Sequence, residues 1–149
     1  MNSLSDDDEE FGRQFDSGGV MPAQFDHRAH LRLAYVHLAV HGPEHAVHTF
    51  RHSLQGFLQR HRIDPAKFHE TLTQAWLSAV WYFMQRFGDT ASSEDFLGKS
   101  AALHDPKVML THYSKEVLFS DDARREFVAP DLDPIPAGVR SAAPRHEPR

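Results

Sequence analysis

Apolar positions recur at helical spacing along most of the chain, and three stretches carry the pattern clearly. In the first, Leu31, Ala34, Tyr35 and Leu38 share one stripe, with Asp26 placed as N-cap and Gly42 as terminator. The second opens at Pro43 and sets Val47, Phe50, Leu54, Phe57 and Leu58 on one side. The third and longest takes Asp64 as N-cap and Pro65 as its first helical residue; Leu72, Trp76, Val80, Phe83 and Phe87 form its stripe, and Gly88 ends it. Runs of valine and isoleucine are missing. The pattern therefore predicts an all-α fold, a small bundle of three main helices followed by short C-terminal helices.

The short links around Gly42-Pro43 and Ile63-Asp64 favour antiparallel neighbours, so the first and third helices should run parallel, with their N-termini at one end. That matters because of three histidines. His27 projects onto the middle of the first stripe and His30 onto its shoulder, while stepping back one turn from Leu72 and Thr73 lands on His69. All three are expected to look inward at the same end of the bundle.

Residues 89–128 read as short helices started by Ser92 or Ser93, by Asp105 ahead of Pro106, and by Ser120, with Gly98 interrupting the first; together they suit a lid or fourth layer. The flanks read differently. Residues 1–20 are acidic and glycine-flanked and are expected to be a disordered tail; residues 21–133 form one helical domain; residues 134–149 are a proline-rich tail. Within that tail Pro134-Ile135-Pro136 suits an extended strap that covers Ile135.

Composition narrows the function. The 149 residues are 40% hydrophobic and 25% charged, enough for one core. A net charge of −5 without a basic stripe argues against nucleic acid as partner, and no apolar run is long enough to span a membrane. The acidic N-terminus is unlike a signal or transit peptide, so the cytoplasm is the expected location. There is no cysteine but there are 12 histidines, so any metal would be held by nitrogen and oxygen ligands.

The chemistry follows from the spacing. His27-x-x-His30 presents two imidazoles about one turn apart, and His69 from a facing helix would complete a three-nitrogen face for a divalent transition metal: zinc, iron, copper or nickel. Three protein ligands leave an open position, as catalytic sites require. Glu70 is placed to act as general base on a metal-bound water, as a fourth ligand, or as an acceptor for an imidazole N–H; alternatively it is a first-turn carboxylate complementing the helix dipole. Thr73, Tyr113 and Arg124 are candidate substrate-binding groups, Arg124 through its planar fork, with pairing to Asp121 or Glu116 as the alternative. His45, His48 and His52 oppose the apolar stripe of their helix and should face solvent, while His37 and His41 flank a core face and read as surface. His112 could add a ligand if its helix folds over the bundle end. Trp81 and Tyr82 fall off the central stripe and could serve a homodimer.

Other templates are absent: no phosphate-binding glycine loop, no nucleophile elbow, no second histidine after His69-Glu70, and no Glu-x-x-His pairs for a di-iron bundle. The residues thus point to a small metal-dependent enzyme with a mononuclear site, acting on a small-molecule substrate through metal-activated water or oxygen. Hydrolase, lyase and oxygenase stay open. The alternative is a non-enzymatic protein that binds a metal or ligand, or a helical interaction protein.

Three motifs, Phe25-x-His27-x-x-His30-Leu31, Lys67-Phe68-His69-Glu70-Thr71 and Tyr113-Ser114-x-x-x-Leu118-x-Ser120-x-x-Ala123-Arg124, resemble a family of small helical proteins of unassigned function seen in bacteria and fungi. The resemblance spans roughly residues 25–133 and implies that the motifs belong together. It supplies no reaction or cofactor. In that family the position of His112 is often filled by another residue.

Overall fold

The chain reverses at Gly42, and the reversal organises the bundle. In the computed structural model, which describes residues 1–135, helical turns run through α2 (His27–Arg60) on both sides of Gly42. Gly42 itself has φ 77° and ψ 166°, a backbone region almost confined to glycine, and Pro43 follows in the fixed geometry of a helix start. The two arms pack antiparallel. The Phe25 ring, just before the first arm, lies 5.1 Å from that of Phe57, and His37 Nδ1 is 2.8 Å from Thr49 Oγ1, contacts nearly symmetric about the turn.

The third helix, α3 (Glu70–Phe87), then runs parallel to the first arm. His27 meets Trp76 near the start of both, with ring centroids 4.7 Å apart, and the Tyr35 hydroxyl reaches Thr90 Oγ1 at 2.7 Å just past the end of α3. The shared core includes Leu31, Ala34, Phe50, Phe57, Leu77, Val80 and Met84. The fold is all-α, as the periodicity predicts; the described residues form no strand, only an isolated bridge between Asn2 and Thr90. Among them no helix is long and apolar enough to cross a membrane.

Three sequence expectations need correction. The acidic N-terminus, expected to be disordered, contains α1 (Asp6–Ser17), opened by a capping box between Ser5 and Asp8. Its four leading carboxylates sit in the first turn, where the dipole favours them, and Phe11 and Phe15 share a face at i,i+4. Phe15 is fully buried and stacks on Phe57 at 4.9 Å. Asp8 is also buried: it accepts from Ser93 N–H at 2.8 Å, from the Ser93 hydroxyl, and from Arg32 Nε at 3.2 Å. Burial opposes its charge, but these bonds outweigh burial and hold its carboxyl below the ordinary value.

The start of α3 is the second correction. Asp64 caps only a single 3₁₀ turn, Pro65–Lys67, and Phe68 and His69 are extended, so the helix begins at Glu70 with His69 as its N-cap. The third concerns the face of α3. Its buried residues include Thr73, Leu77, Val80 and Met84, whereas Leu72, Trp76, Phe83 and Phe87 are half-buried at its margins. One stripe cannot describe α3 because it is covered on two sides.

The second cover comes from the C-terminal layer. Ser92 caps α4 (Ser93–Lys99), which runs through Gly98 instead of stopping there, and sets Phe96 against Tyr35. Two 3₁₀ turns, Ala101–His104 and Val108–Thr111, lead to α5 (Lys115–Leu118) and α6 (Asp121–Arg125), capped by Ser114 and Ser120. Met109, Tyr113 and Leu118 form a small core with Ala75 of α3, and Ile135 packs against it. The segment after α6 is pinned as a strap: the Thr71 hydroxyl donates to the Glu126 carbonyl at 2.9 Å and accepts from Val128 N–H at 3.0 Å, and the Tyr113 hydroxyl donates to the Val128 carbonyl at 2.6 Å. The remainder of the proline-rich tail lies outside the described residues.

Two substitutions test this packing. A Cβ on Gly42 would meet no atom within 4 Å, so Gly42→Ala should lower stability by backbone strain alone, about 1–3 kcal/mol, in urea unfolding. Phe15→Ala should cost about 3–5 kcal/mol, as for any large core ring; an unchanged unfolding midpoint would mean that α1 is not docked.

Candidate functional site

A recess of about 360 Å³ opens at the end of the bundle where α2 and α3 begin. Its walls are mainly apolar. Leu31, Ala34, Phe50, Leu54 and Phe57 come from the two arms of α2, Leu72 and Trp76 from α3, Phe25 and Phe68 from the segments leading into those helices, and Pro106 from the C-terminal layer. The polar residues along it are His27, His30, Lys67, His69 and Thr73. The parallel first and third helices thus bring the three histidines of the two motifs to one cavity.

They do not present three free nitrogens to it. His69 is buried, with both ring nitrogens in use: Nδ1 accepts from Leu72 N–H at 3.1 Å, capping α3, and Nε2–H donates to the Leu118 carbonyl at 2.7 Å. These partners fix the tautomer. Burial lowers the His69 pKa, the Leu118 bond partly offsets this, and the nearby Arg124 charge adds to the lowering. His27 donates Nε2–H to the Leu103 carbonyl at 2.8 Å, which leaves Nδ1 of the neutral ring as its one acceptor. His30 is open to the recess and stacks on Phe25 at 4.1 Å. Although water reaches its ring, the surrounding protein desolvates it and His27 lies close, and together they push its pKa down to about 4. Among the described residues no group of three or more histidine or carboxylate side chains is arranged to hold a metal ion.

The candidate groups around the histidines fall elsewhere. Glu70 does not line the recess; it is buried against the second arm of α2, where Arg51 grips both its oxygens through Nε (2.8 Å) and Nη2, and Gln74 donates to the same carboxylate. Burial disfavours its charge, yet the Arg51 and Gln74 bonds prevail and keep the carboxyl below its ordinary value. An ionised, fully engaged carboxylate on another face is poorly placed to take a proton from anything in the recess. Thr73 does line it, but its hydroxyl donates to the His69 carbonyl at 2.7 Å. Tyr113 is buried in the small core and holds the strap. Arg124 is half-buried beside His69, outside the lining.

Comparison with protein-family models, with curated proteins and with solved structures finds no match. The site is therefore read from its own chemistry.

Two of its features escape a reading of periodicity. Lys67 belongs to a motif singled out in the sequence but has no role assigned there; it ends the 3₁₀ turn ahead of the extended Phe68-His69 step and lines the recess. His37, expected at the surface, is buried and bonded to Thr49, with burial pushing its pKa down to about 4. The tight contact between the arms of α2 covers it. His45, His48 and His52 are exposed, as their position opposite the stripe implies.

The sign of the pH dependence follows. His30 and His37 titrate near 4 in the folded chain and near 6.5 unfolded, so between these values the unfolded state binds more protons. Their contribution is intact above about pH 6.5 and is lost as pH falls toward 4. Asp8 and Glu70, with lowered carboxyl values, give up theirs in a more acidic range. Urea midpoints should fall between pH 7 and 4.5, and His37→Gln should flatten that slope; an identical slope in the variant would contradict the buried neutral His37.

Proposed function

We propose that this protein binds a small, largely apolar molecule in the histidine-lined recess. The observation that carries the reading is the combination of aromatic and aliphatic walls with only a few convergent polar groups, which is the usual make-up of a small-molecule site. Its volume of about 360 Å³ is near the lower end of such sites. His27 Nδ1 and the water-accessible His30 ring are the groups suited to orient a polar atom of the ligand. The setting we propose is cytoplasmic.

A metal-dependent enzyme is the second reading, and one observation favours it: His27, His30 and His69 share the recess. A zinc, iron, copper or nickel ion on all three would require His69 to give up Leu72 N–H or the Leu118 carbonyl, so loading would uncap α3 or release the C-terminal layer. The chemistry such an ion would supply is activation of water or oxygen.

The two readings separate experimentally. The neutral fluorophore N-phenyl-1-naphthylamine should bind the wild-type chain saturably with enhanced emission, and Ala34→Phe, which fills the recess, should weaken binding at least about tenfold, equivalent to 1.4 kcal/mol. Leu58→Trp, at a half-buried lining position, repeats the test should the first variant unfold. Absence of saturable binding to the wild type, or full binding by both folded variants, would overturn the proposal. Stoichiometric metal in untagged protein that disappears in His69→Ala would favour the enzyme instead.

A further inference from the structure

The mouth of the recess has a charge bias that the apolar walls do not explain. The protein carries 21 acidic residues against 16 lysines and arginines, yet among the described residues no carboxylate lines the recess. Among the described residues Lys67 is the one permanently charged side chain along it, and no carboxylate pairs with it. Its nearest acidic neighbours in sequence are occupied: Asp64 caps the 3₁₀ turn, and Glu70 is held by Arg51 and Gln74. Lys67 and His30 are both solvent-exposed and mark the open side, whereas Leu31, Phe50 and Phe57 are buried and mark the closed side. A molecule entering the recess therefore meets hydrocarbon within and, at the exposed entrance, a lysine with no carboxylate partner among the described residues.

The surroundings reinforce that polarity. α2 and α3 both begin here; the Asp26 carboxylate caps and offsets the positive end of α2, which leaves that of α3. The cap of α3 is an imidazole whose Nδ1 must be unprotonated to accept from Leu72 N–H, where a carboxylate cap would have neutralised the helix end.

We infer that the ligand is an amphiphilic monocarboxylate, its hydrocarbon or aromatic body packed within the recess and its carboxylate at the mouth beside Lys67. The inference rests on the small-molecule reading given above and names the ligand class. A cationic amphiphile would set its charge against Lys67. A neutral one would leave Lys67 without effect. At the solvent-exposed mouth the carboxylate keeps part of its hydration, so the attraction is that of a partly screened ion pair.

Displacement of N-phenyl-1-naphthylamine tests this with three ligands of equal chain length: decanoate, decanol and decyltrimethylammonium. Decanoate should bind best. Lys67→Ala should weaken decanoate about 2–5-fold, and Lys67→Glu, which replaces attraction by repulsion, about 4–25-fold, while decanol binding changes by less than about twofold in both variants. Both substitutions are at an exposed position, so folding is not at stake. Equal displacement by decanol and decanoate with no response to Lys67 would overturn the carboxylate class and leave the small-molecule reading standing, as would preference for the trimethylammonium ligand. Failure of the wild type to take up the fluorophore or any of the three ligands would remove both.

Discussion

A backbone that passes through φ 77° and ψ 166° at Gly42 commits the two arms of α2 to pack face to face. Everything at the functional end depends on that reversal. It brings Phe57 back to Phe25 and Thr49 back to His37, and it fixes the direction in which α3 must set out to cover the remaining open side. With the second arm antiparallel, α3 can only return parallel to the first, which is why two helix starts and their histidines share one end. The recess lies at that shared end, lined by both arms of α2, by α3 and by Pro106 of the C-terminal layer.

The bundle was legible in the sequence because its main helices obey simple rules: clear apolar stripes, a Gly-Pro break, serine and aspartate caps at most starts. Asp26, Ser92 and Ser120 all cap as their positions imply. The convergence of His27, His30 and His69 was legible for the same reason. The state of those rings was not. Nε2 of His27 and of His69 is taken by Leu103 and Leu118, carbonyls 76 and 49 residues away, and no local pattern encodes such partners. The N-terminal helix was hidden differently: its stability comes from Phe15 and Asp8 meeting distant parts of the chain, while its composition alone resembles that of a tail. The start of α3 was misplaced because a capped proline normally opens a full helix, and here it opens a single turn.

His69 illustrates how one side chain can serve structure in the middle of a site. It ends an extended step, caps α3, lines the recess and ties Leu118 of the C-terminal layer to the bundle, using each ring nitrogen once. Glu70, the next residue, turns the opposite way and is neutralised by Arg51, so the two adjacent polar residues belong to different environments. Adjacency in sequence, which made Glu70 an attractive general base, is a poor guide at a helix start because successive side chains there point in different directions. Among the described residues the polar lining of the recess is three histidines, a lysine and a threonine, with no carboxylate.

Asp8 accepts from Ser93 across a separation of 85 residues, and Asn2 and Ser3 reach the Thr90 region over a similar span. During synthesis this carboxylate leaves the ribosome 85 residues ahead of Ser93, although α1 can already pack on α2 through Phe15 and Phe57 and meet Arg32. Closing the loop from Asp8 to Ser93 is an entropic cost incurred before those bonds form. Chains arrested before Ser93 would therefore carry α1 laid on α2 by its aromatic face, with the Asp8 carboxylate met by Ser5 and Arg32 but still lacking the bonds that Ser93 supplies.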